Sequence, residues 1–466
     1  MASNKVKGRD LRKIGFPEGK VIRVIQRILQ QHDKGKSRVM KINMLKNIFA
    51  NQNDFRMDEL WKAVIEELDF KTHKTKKELL PKKASKIQIY GRAQIEEGAI
   101  HQMELAMKLP VAKKGALMPD AHYGYGLPIG GVLAVKDAVI PYAVGLDIAC
   151  RMSLTVLDMD IKALTNKPKR FRKALIDNTR FGQQVHERIN KHEVFDYGEF
   201  REQKLLRDLH KLARRQLGSS GSGNHFVEFG LVDSYGDEEH QIPKGQFVAI
   251  LSHSGSRGFG ASIAKHFSKI ASLKCKLPKE VQHLAWLDMK DEDGQAYWQA
   301  MNLAGAYAKA CHDDIHKRLI HDVGGKVICH IENHHNFAWK EMINGEELIV
   351  HRKGATPAHS GVLGIIPGSM TTNGYIVKGK GNATSIHSAS HGAGRKMSRG
   401  KAKSKITKEE MKTALRKARV TLVGGGVDEA PYAYKNIDKV IAHQSELIEV
   451  LGTFQPKIVR MAGAYK

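Results

Sequence analysis

Eight stretches of this chain place reactive side chains among glycines and other small residues. MPDAHYGYGLPIGG carries Asp120 and His122, and VGLDIACR carries Asp147 and Cys150. GSSGSGNHFVEFG carries Asn224, His225 and Glu228, and LSHSGSRG carries His253 and Arg257. ENHHNFAW holds His334, His335 and Asn336, HRKGATPAHSG holds Lys353, IIPGSM holds Ser369, and HSASHGAGR holds His387 and His391. Taken singly, each has an ordinary reading: a lone histidine is usually a hydrogen-bonded structural residue, and a lone cysteine is usually a small buried hydrophobe. Taken together they supply a carboxylate, a thiolate and several imidazoles. That mixed set suits a borderline divalent ion such as Mn²⁺, Fe²⁺ or Zn²⁺ better than Mg²⁺, which prefers oxygen. The two-residue gap between Asp147 and Cys150 lets both side chains meet one site at a turn, and a thiolate can bridge two metals.

The remaining chemistry suits phosphate. Small residues let the backbone approach an anion and present N–H groups to it. Lys353, Arg257, Arg395 and Arg399 add matching charge. There is no GxxxxGK[ST] loop; GKGNATS is a poor imitation of one. The run HSASHGAGRKMSR is too glycine-rich for a helix interior and too polar for a buried strand. An imidazole there could attack phosphorus and hold the group covalently, with metals neutralising charge in the transition state. Phosphoryl or nucleotidyl transfer follows, with ligase, nuclease and phosphatase still open.

These loops need strand ends to position them. Short Val- and Ile-rich runs alternate with glycine turns: GGVLAV, YAVGLDIA, GQFVAIL, KVICHIE, EELIVHR, GVLGIIPGS and NGYIVKG. They read as strands, with helices around 201–217, 259–274, 292–319 and 407–419. Thr407 and Glu410 fit a capping box at the last of these. Clean βαβ alternation is missing, so the expected class is α+β, one large domain over residues 87–466. Residues 1–85 read as a separate basic, helical module. There KVIRVIQRILQQ places Val21, Ile22, Val24, Ile25, Ile28 and Leu29 at helical spacing, with Lys20, Arg23 and Arg27 on the other side. A second helix is expected in MDELWKAVIEELDF, and KTHKTKKELLPKKASK reads as a linker.

The chain carries 76 Lys plus Arg against 49 Asp plus Glu, a formal +27. Residues 1–85 hold 21 of those cations and 10 of the anions. Such an excess attracts polyanions, nucleic acid above all. No apolar run reaches the roughly 18–20 residues that cross a bilayer, so no membrane association is expected. MASNKVKGRD lacks the apolar centre of a secretory signal, and cysteines 150, 275, 311 and 329 form no CxxC pair. A reduced, cytoplasmic protein is expected.

In order, PDAHYGYGLPIGG, GLDIACRMS, GSGNHFVEFG, HSGSRGFG, HHNFA, HRKGATPA, IPGSM, SHGAGRKMSR and DEAPYAYKNID closely resemble the loops of the RtcB-type RNA-splicing ligases. The resemblance covers about residues 87–466. It implies an RNA ligase dependent on GTP and two Mn²⁺ ions, joining 2′,3′-cyclic phosphate or 3′-phosphate RNA ends to 5′-hydroxyl ends in tRNA splicing or RNA repair. RNA (tRNA halves or broken ends) and GTP are the implied partners, with room for an activating protein. His391 would carry a covalent guanylate, oriented by Asp120. Metal ligands would be Asp147, Cys150, His225, His253 and His335, with Cys150 bridging. The nucleotide pocket would draw on Asn224, His225, Phe226, Val227, Glu228, His335, Asn336, Pro367, Gly368, Ser369, Met370, Gly374, His391, Gly392, Ala393, Gly394 and Tyr434. Arg257, Lys353, Arg395 and Arg399 would hold phosphates.

Three departures from the family pattern stand out. The family's D-I-G-C-G reads Asp147-Ile-Ala-Cys150-Arg151 here, and Arg151 beside a ligand could alter RNA access. Gly374 stands where the family often has Ser. Where the family usually ends in Lys-Gly, the lysine touching guanine, this sequence reads MAGAYK, and the resemblance would make Lys466 the candidate for that contact. The competing expectations are a metal-dependent RNA phosphatase or nuclease that has lost guanylylation, and a non-catalytic RNA-binding protein.

Overall fold

The computed structural model describes residues 5–33, 35–55, 58–72, 76–77, 80, 86–187 and 191–463. Lys466 and most of the expected linker lie outside them. The chain divides into two compact units, Met1–Lys77 with Leu273–Lys276, and Glu78–Ser272 with Leu277–Lys466.

In the first unit the described helices are α1 (Gly8–Ile14), α2 (Lys20–His32), α3 (Arg38–Ala50) and α4 (Lys62–Thr72). Val21, Ile25, Ile28 and Leu29 of α2 bury against Leu11, Leu45, Ile48, Val64 and Ile65. Arg23 and Arg27 stay exposed, as an amphipathic helix requires.

The second unit is α+β. Its larger sheet has eight strands. The described order is β6 (Lys326–His334), β3 (Arg151–Asp158), β5 (Gly245–Ser254), β4 (Phe226–Ser234), β14 (Ile448–Met461), β11 (Gly374–Gly379) and β10 (Leu363–Ile366), with β13 (Thr421–Val423) parallel to β14. Side chains alternate between faces. Val248 and Ile250 join one core with Phe171, Leu175, Ile315 and Leu319; Ala249 and Leu251 join another with Leu154, Ile331, Ile376 and Phe454. A smaller sheet pairs β7 (Asn336–Ile343), β8 (Glu346–Lys353), β2 (Ile129–Val135) and β1 (Ala112–His122), with Gln88–Ile89 on the edge. The short strands β9 (Ala355–Pro357) and β12 (Ser388–Ser390) pair with each other.

Register explains why the reactive loops converge. Along the antiparallel ladders of the larger sheet Arg151 pairs with both His334 and Ser254, Met152 with His253, and Phe226 with both His253 and Met461. Asp147 and Cys150 precede β3, Asn224 and His225 precede β4, His253 closes β5, and His335 follows β6. All therefore lie at one end of the sheet. His335 is the single residue between β6 and β7, where the chain passes from one sheet to the other.

Two expectations needed correcting. YAVGLDIA is not a strand. Pro141 starts a short helix, Pro141–Val144, and Gly145 (φ 99°) turns the chain out of it. Asp120 is not on a loop but near the end of β1, a strand that Lys113, Lys114 and Pro119 disguise in the sequence. The expected helices are found at Lys204–Gln216, Arg257–Lys274, Glu292–Val323 and Lys408–Ala418, the last with its Thr407–Glu410 capping box.

Candidate active site

The five expected metal ligands form two triads that share one atom. Asp147, Cys150 and His225 bring their ligand atoms together, as do Cys150, His253 and His335. Cys150 Sγ lies 3.3 Å from His225 Nε2 and 3.2 Å from His253 Nε2. His253 Nε2 is 3.2 Å from His335 Nε2, and Asp147 Oδ2 is 2.9 Å from His225 Nε2. His253 Nδ1 donates to the Asn224 carbonyl at 3.0 Å. Its Nε2 is therefore the unprotonated nitrogen, the form a metal needs.

The electrostatics agree with cation binding. Burial pushes His253 down to about 3 and His335 well below the ordinary imidazole range, so both rings are neutral at pH 7, the form that can bind a cation. Burial, reinforced by Asp147, pushes the Cys150 thiol well up. A thiolate can occupy that position only with a cation beside it. The backbone leaves room for these groups. A Cβ on Gly255 would stand 2.0 Å from Asp147 Oδ1, and one on Gly221 2.0 Å from His225 Nδ1. Two glycines are thus part of the ligand cradle.

His391 follows β12 and sits against this cluster, its ring 4.8 Å from that of His335. Asp120, fully buried, accepts from His391 Nδ1 at 2.6 Å and from the His391 backbone N–H at 3.2 Å. Burial alone would raise Asp120, but His391 and Lys435 outweigh it and hold the carboxyl below its ordinary value. With Nδ1–H given to a carboxylate, Nε2 keeps its lone pair. The loop is tight: a Cβ on Gly394 (φ 71°) would meet the Asp120 carbonyl oxygen at 2.1 Å.

Beside these groups opens a cavity of about 240 Å³. Asn224, Phe226, Glu228, His253, Pro367, Gly368, Ser369, Met370, Gly374, His391, Gly392, Ala393, Gly394 and Tyr434 line it. Its floor is mostly apolar, with Leu251, Phe454, Val459 and Met461. Glu228 is the notable polar wall residue, and burial raises its carboxyl well above the ordinary range.

Other expected residues lie elsewhere. Val227 points into the core with Phe229. Asn336 is a brace, donating to the Asp147 carbonyl at 3.3 Å and accepting from Gly354 N–H at 2.9 Å. Arg257 donates to Ser219 Oγ at 3.0 Å and the Gly182 carbonyl at 2.5 Å. Lys353 donates to the carbonyls of Tyr125 and Tyr142, and burial lowers its ammonium to about 7. Arg395 and Arg399 line the cavity, but both are engaged. Arg395 contacts Glu429 at 3.2 Å, the Asp428 carbonyl at 2.7 Å and Tyr434; Arg399 contacts Asp428 at 3.0 Å and Glu429. Arg151 is turned into an ion pair with Glu332 at 3.1 Å and a bond to the Gly305 carbonyl at 3.2 Å.

Sequence reasoning missed three contributors. Asp428 and Glu429 hold the two arginines; they stand in DEAPYAYKNID, where the signal was available. His122, already singled out in the sequence, lines the cavity too, with Nδ1 3.1 Å from the Asp120 carbonyl oxygen. Arg352, fully buried, forks onto Glu341 at 2.5 and 3.0 Å and donates to Ser388 Oγ and the Ile386 carbonyl. It thereby pins Ile386 (φ 54°) and His387 (φ 48°), the strained pair that leads into β12 and His391.

Residues 102–203 and 184–462 match the family model described as tRNA-splicing ligase RtcB. The chain belongs to the RtcB family. It is 34% identical over 391 residues to the RNA-splicing ligase RtcB of Escherichia coli (strain K12), covering 78% of this chain and 93% of that protein. It is 31% identical to the tRNA-splicing ligase RtcB of Nanoarchaeum equitans (77% and 90% covered) and 30% identical to that of Methanococcus maripaludis (78% and 91% covered). The RtcB match takes in Asp120, both triads, His391 and the cavity. Most of the N-terminal helical unit lies outside it.

Proposed function

We propose that this chain is a GTP- and Mn²⁺-dependent RNA ligase that joins 3′-phosphate or 2′,3′-cyclic phosphate ends to 5′-hydroxyl ends. The observation that carries this reading is the placement of His391. Its Nδ1 is held by a buried carboxylate, it borders a nucleotide-sized cavity, and it abuts two ligand triads that share Cys150.

Asp147, Cys150 and His225 would hold one ion; Cys150, His253 and His335 would hold the other. The donor set of thiolate, imidazole and carboxylate fits Mn²⁺ better than Mg²⁺. The buried Nδ1 atoms of His225 and His335 have no hydrogen-bond partner among the described residues, as for rings positioned by the other nitrogen. When bound, the ions supply positive charge against phosphoryl oxygens in the transition state.

The protein's own groups do the rest. Asp120 fixes the tautomer, so His391 Nε2 attacks the α-phosphorus of GTP. The bond to the β-phosphate oxygen breaks, pyrophosphate leaves, and an Nε2–phosphorus bond holds GMP. A 3′-phosphate oxygen of RNA then takes the GMP from Nε2. The 5′-hydroxyl oxygen attacks the activated 3′-phosphorus, GMP leaves, and a phosphodiester forms. A cyclic phosphate must first be opened by water, because only a free 3′-phosphate can accept GMP. Glu228 suits guanine: N1–H and N2–H of the entering base favour the ionised carboxylate that burial disfavours in the free protein, and adenine presents neither donor.

The test is ligation of two RNAs with defined ends. A 3′-phosphate strand and a 5′-hydroxyl strand should be sealed with GTP and Mn²⁺, and not with ATP or after chelation. Release of inorganic phosphate without sealing would favour a phosphatase instead.

A further inference from the structure

The loop Tyr123–Pro128 joins β1 to β2, and its flanking residues His122 and Ile129 both line the nucleotide cavity. Its tyrosines are turned outward. Tyr123 is 61% exposed, and Tyr125, at 73%, is the most exposed large hydrophobic side chain among the described residues. Scattered exposed apolar residues are common and need no explanation. This pair differs in how firmly its backbone is held.

Tyr123 N–H donates to Glu96 at 2.7 Å. Gln102 accepts from Gly124 N–H at 3.0 Å and donates to the Gly124 carbonyl at 2.7 Å. The Tyr125 carbonyl accepts from the buried ammonium of Lys353, which also bonds the Tyr142 carbonyl. A buried lysine is costly to place, and here it fixes a loop whose rings remain in water. Tyr142 borders the same loop and carries the exposed His283 stacked on it at 5.0 Å and 26°. The loop backbone is thus held at several points while its rings stay in water, and both its flanking residues line the cavity with His391.

We infer that Tyr125, with Tyr123 two residues before it, is a stacking platform for an unpaired RNA base next to the joint. This inference rests on the RNA-ligase reading above. Ends awaiting joining expose unstacked bases, and every base has a π-face that an aromatic ring can cover without reading sequence. A ligase acting on varied ends gains grip there without selectivity. The excess positive charge of the chain attracts the backbone, and the tyrosines then set where the terminal base rests.

The experiment uses the full chain with Mn²⁺ and two single-stranded RNAs. One carries 2-aminopurine as the last base before a 3′-phosphate; the other carries it as the first base after a 5′-hydroxyl. Stacking should quench one of the two on binding to the wild type. Tyr125→Ala should relieve the quenching, weaken that RNA by roughly 5- to 100-fold and raise KM far more than it lowers kcat. Tyr125→Trp should restore both. Unquenched binding to the wild type at both ends, or equal affinity for Tyr125→Ala, would overturn the platform. Absence of any RNA binding or sealing by the wild type would instead overturn the ligase reading. If Tyr125→Ala also loses self-guanylylation, the loop has been disturbed, and wild-type quenching together with the Trp variant decides.

Discussion

Asp120 accepts two hydrogen bonds from His391, one from the ring and one from the backbone of the same residue. Ring orientation and chain position are thus set by one buried carboxylate. Asp120→Asn keeps the shape but loses the charge that selects the Nδ1–H tautomer. Self-guanylylation should fall by roughly 10²-fold or more with metal content unchanged. The carboxyl lies below its ordinary value, so it stays ionised from pH 5 upward and adds no step of its own to the activity profile there. Rates close to wild type in the Asn variant would mean that Asp120 only packs the loop.

A shared Cys150 thiolate would make the two proposed metal sites interdependent. Cys150→Ala should lower occupancy of both ions, and Cys150→Ser should restore little, since an unactivated hydroxyl is the weaker ligand. Elemental analysis of purified protein reads this directly. Two fully occupied ions in the alanine variant would rule out bridging.

Glu228 gives a pH signature. Its carboxyl is raised in the folded chain by burial, so above the ordinary carboxylate value the unfolded chain releases this proton while the folded chain keeps it. The folded state then binds more protons, and stability falls as pH rises through that window. Glu228→Gln should flatten the decline in denaturant midpoint from about pH 4.5 upward and reduce the preference for GTP over ATP. A variant whose pH dependence matches wild type would remove Glu228 from this account.

Arg352 and Glu341 form a buried pair beneath the His391 strand. Arg352→Ala should cost about 3–5 kcal/mol in urea unfolding, because Glu341 is left mostly buried with only His359, 3.5 Å away, to offset its charge. Arg352→Lys should recover only part of this, lacking the fork. An undiminished midpoint in the alanine variant would show that the strained Ile386–His387 pair needs no such anchor.

The N-terminal unit is proposed to add RNA affinity. Arg23→Glu with Arg27→Glu, on the exposed face of α2, should weaken RNA binding and make its salt dependence shallower. Self-guanylylation should be untouched. An unchanged salt slope would leave that charge as a solvated face.

The reactive loops were legible because chemistry-bearing residues recur among glycines at strand ends, and the register of the larger sheet brings those ends together. Register itself was not legible, since no local pattern says that Met152 will face His253. β1 was hidden because Lys113, Lys114 and Pro119 interrupt its alternation, and the ladder there shifts register between Leu117 and His122. The arginines and Lys353 were readable as charge but not as partners. Asp428, Glu429 and backbone carbonyls, distant in sequence, decide where those cations point.

The most direct test of the account is the site of covalent modification. Full-length protein incubated with Mn²⁺ and α-labelled GTP, then digested and mapped by mass spectrometry under conditions that preserve phosphoramidates, should carry one GMP on His391. The modification should be absent from His391→Ala, which should nonetheless join RNA supplied with its 3′ end already guanylylated, since both ligand triads remain. GMP on another residue such as His387, or full labelling of His391→Ala, would contradict the assignment of His391 as nucleophile.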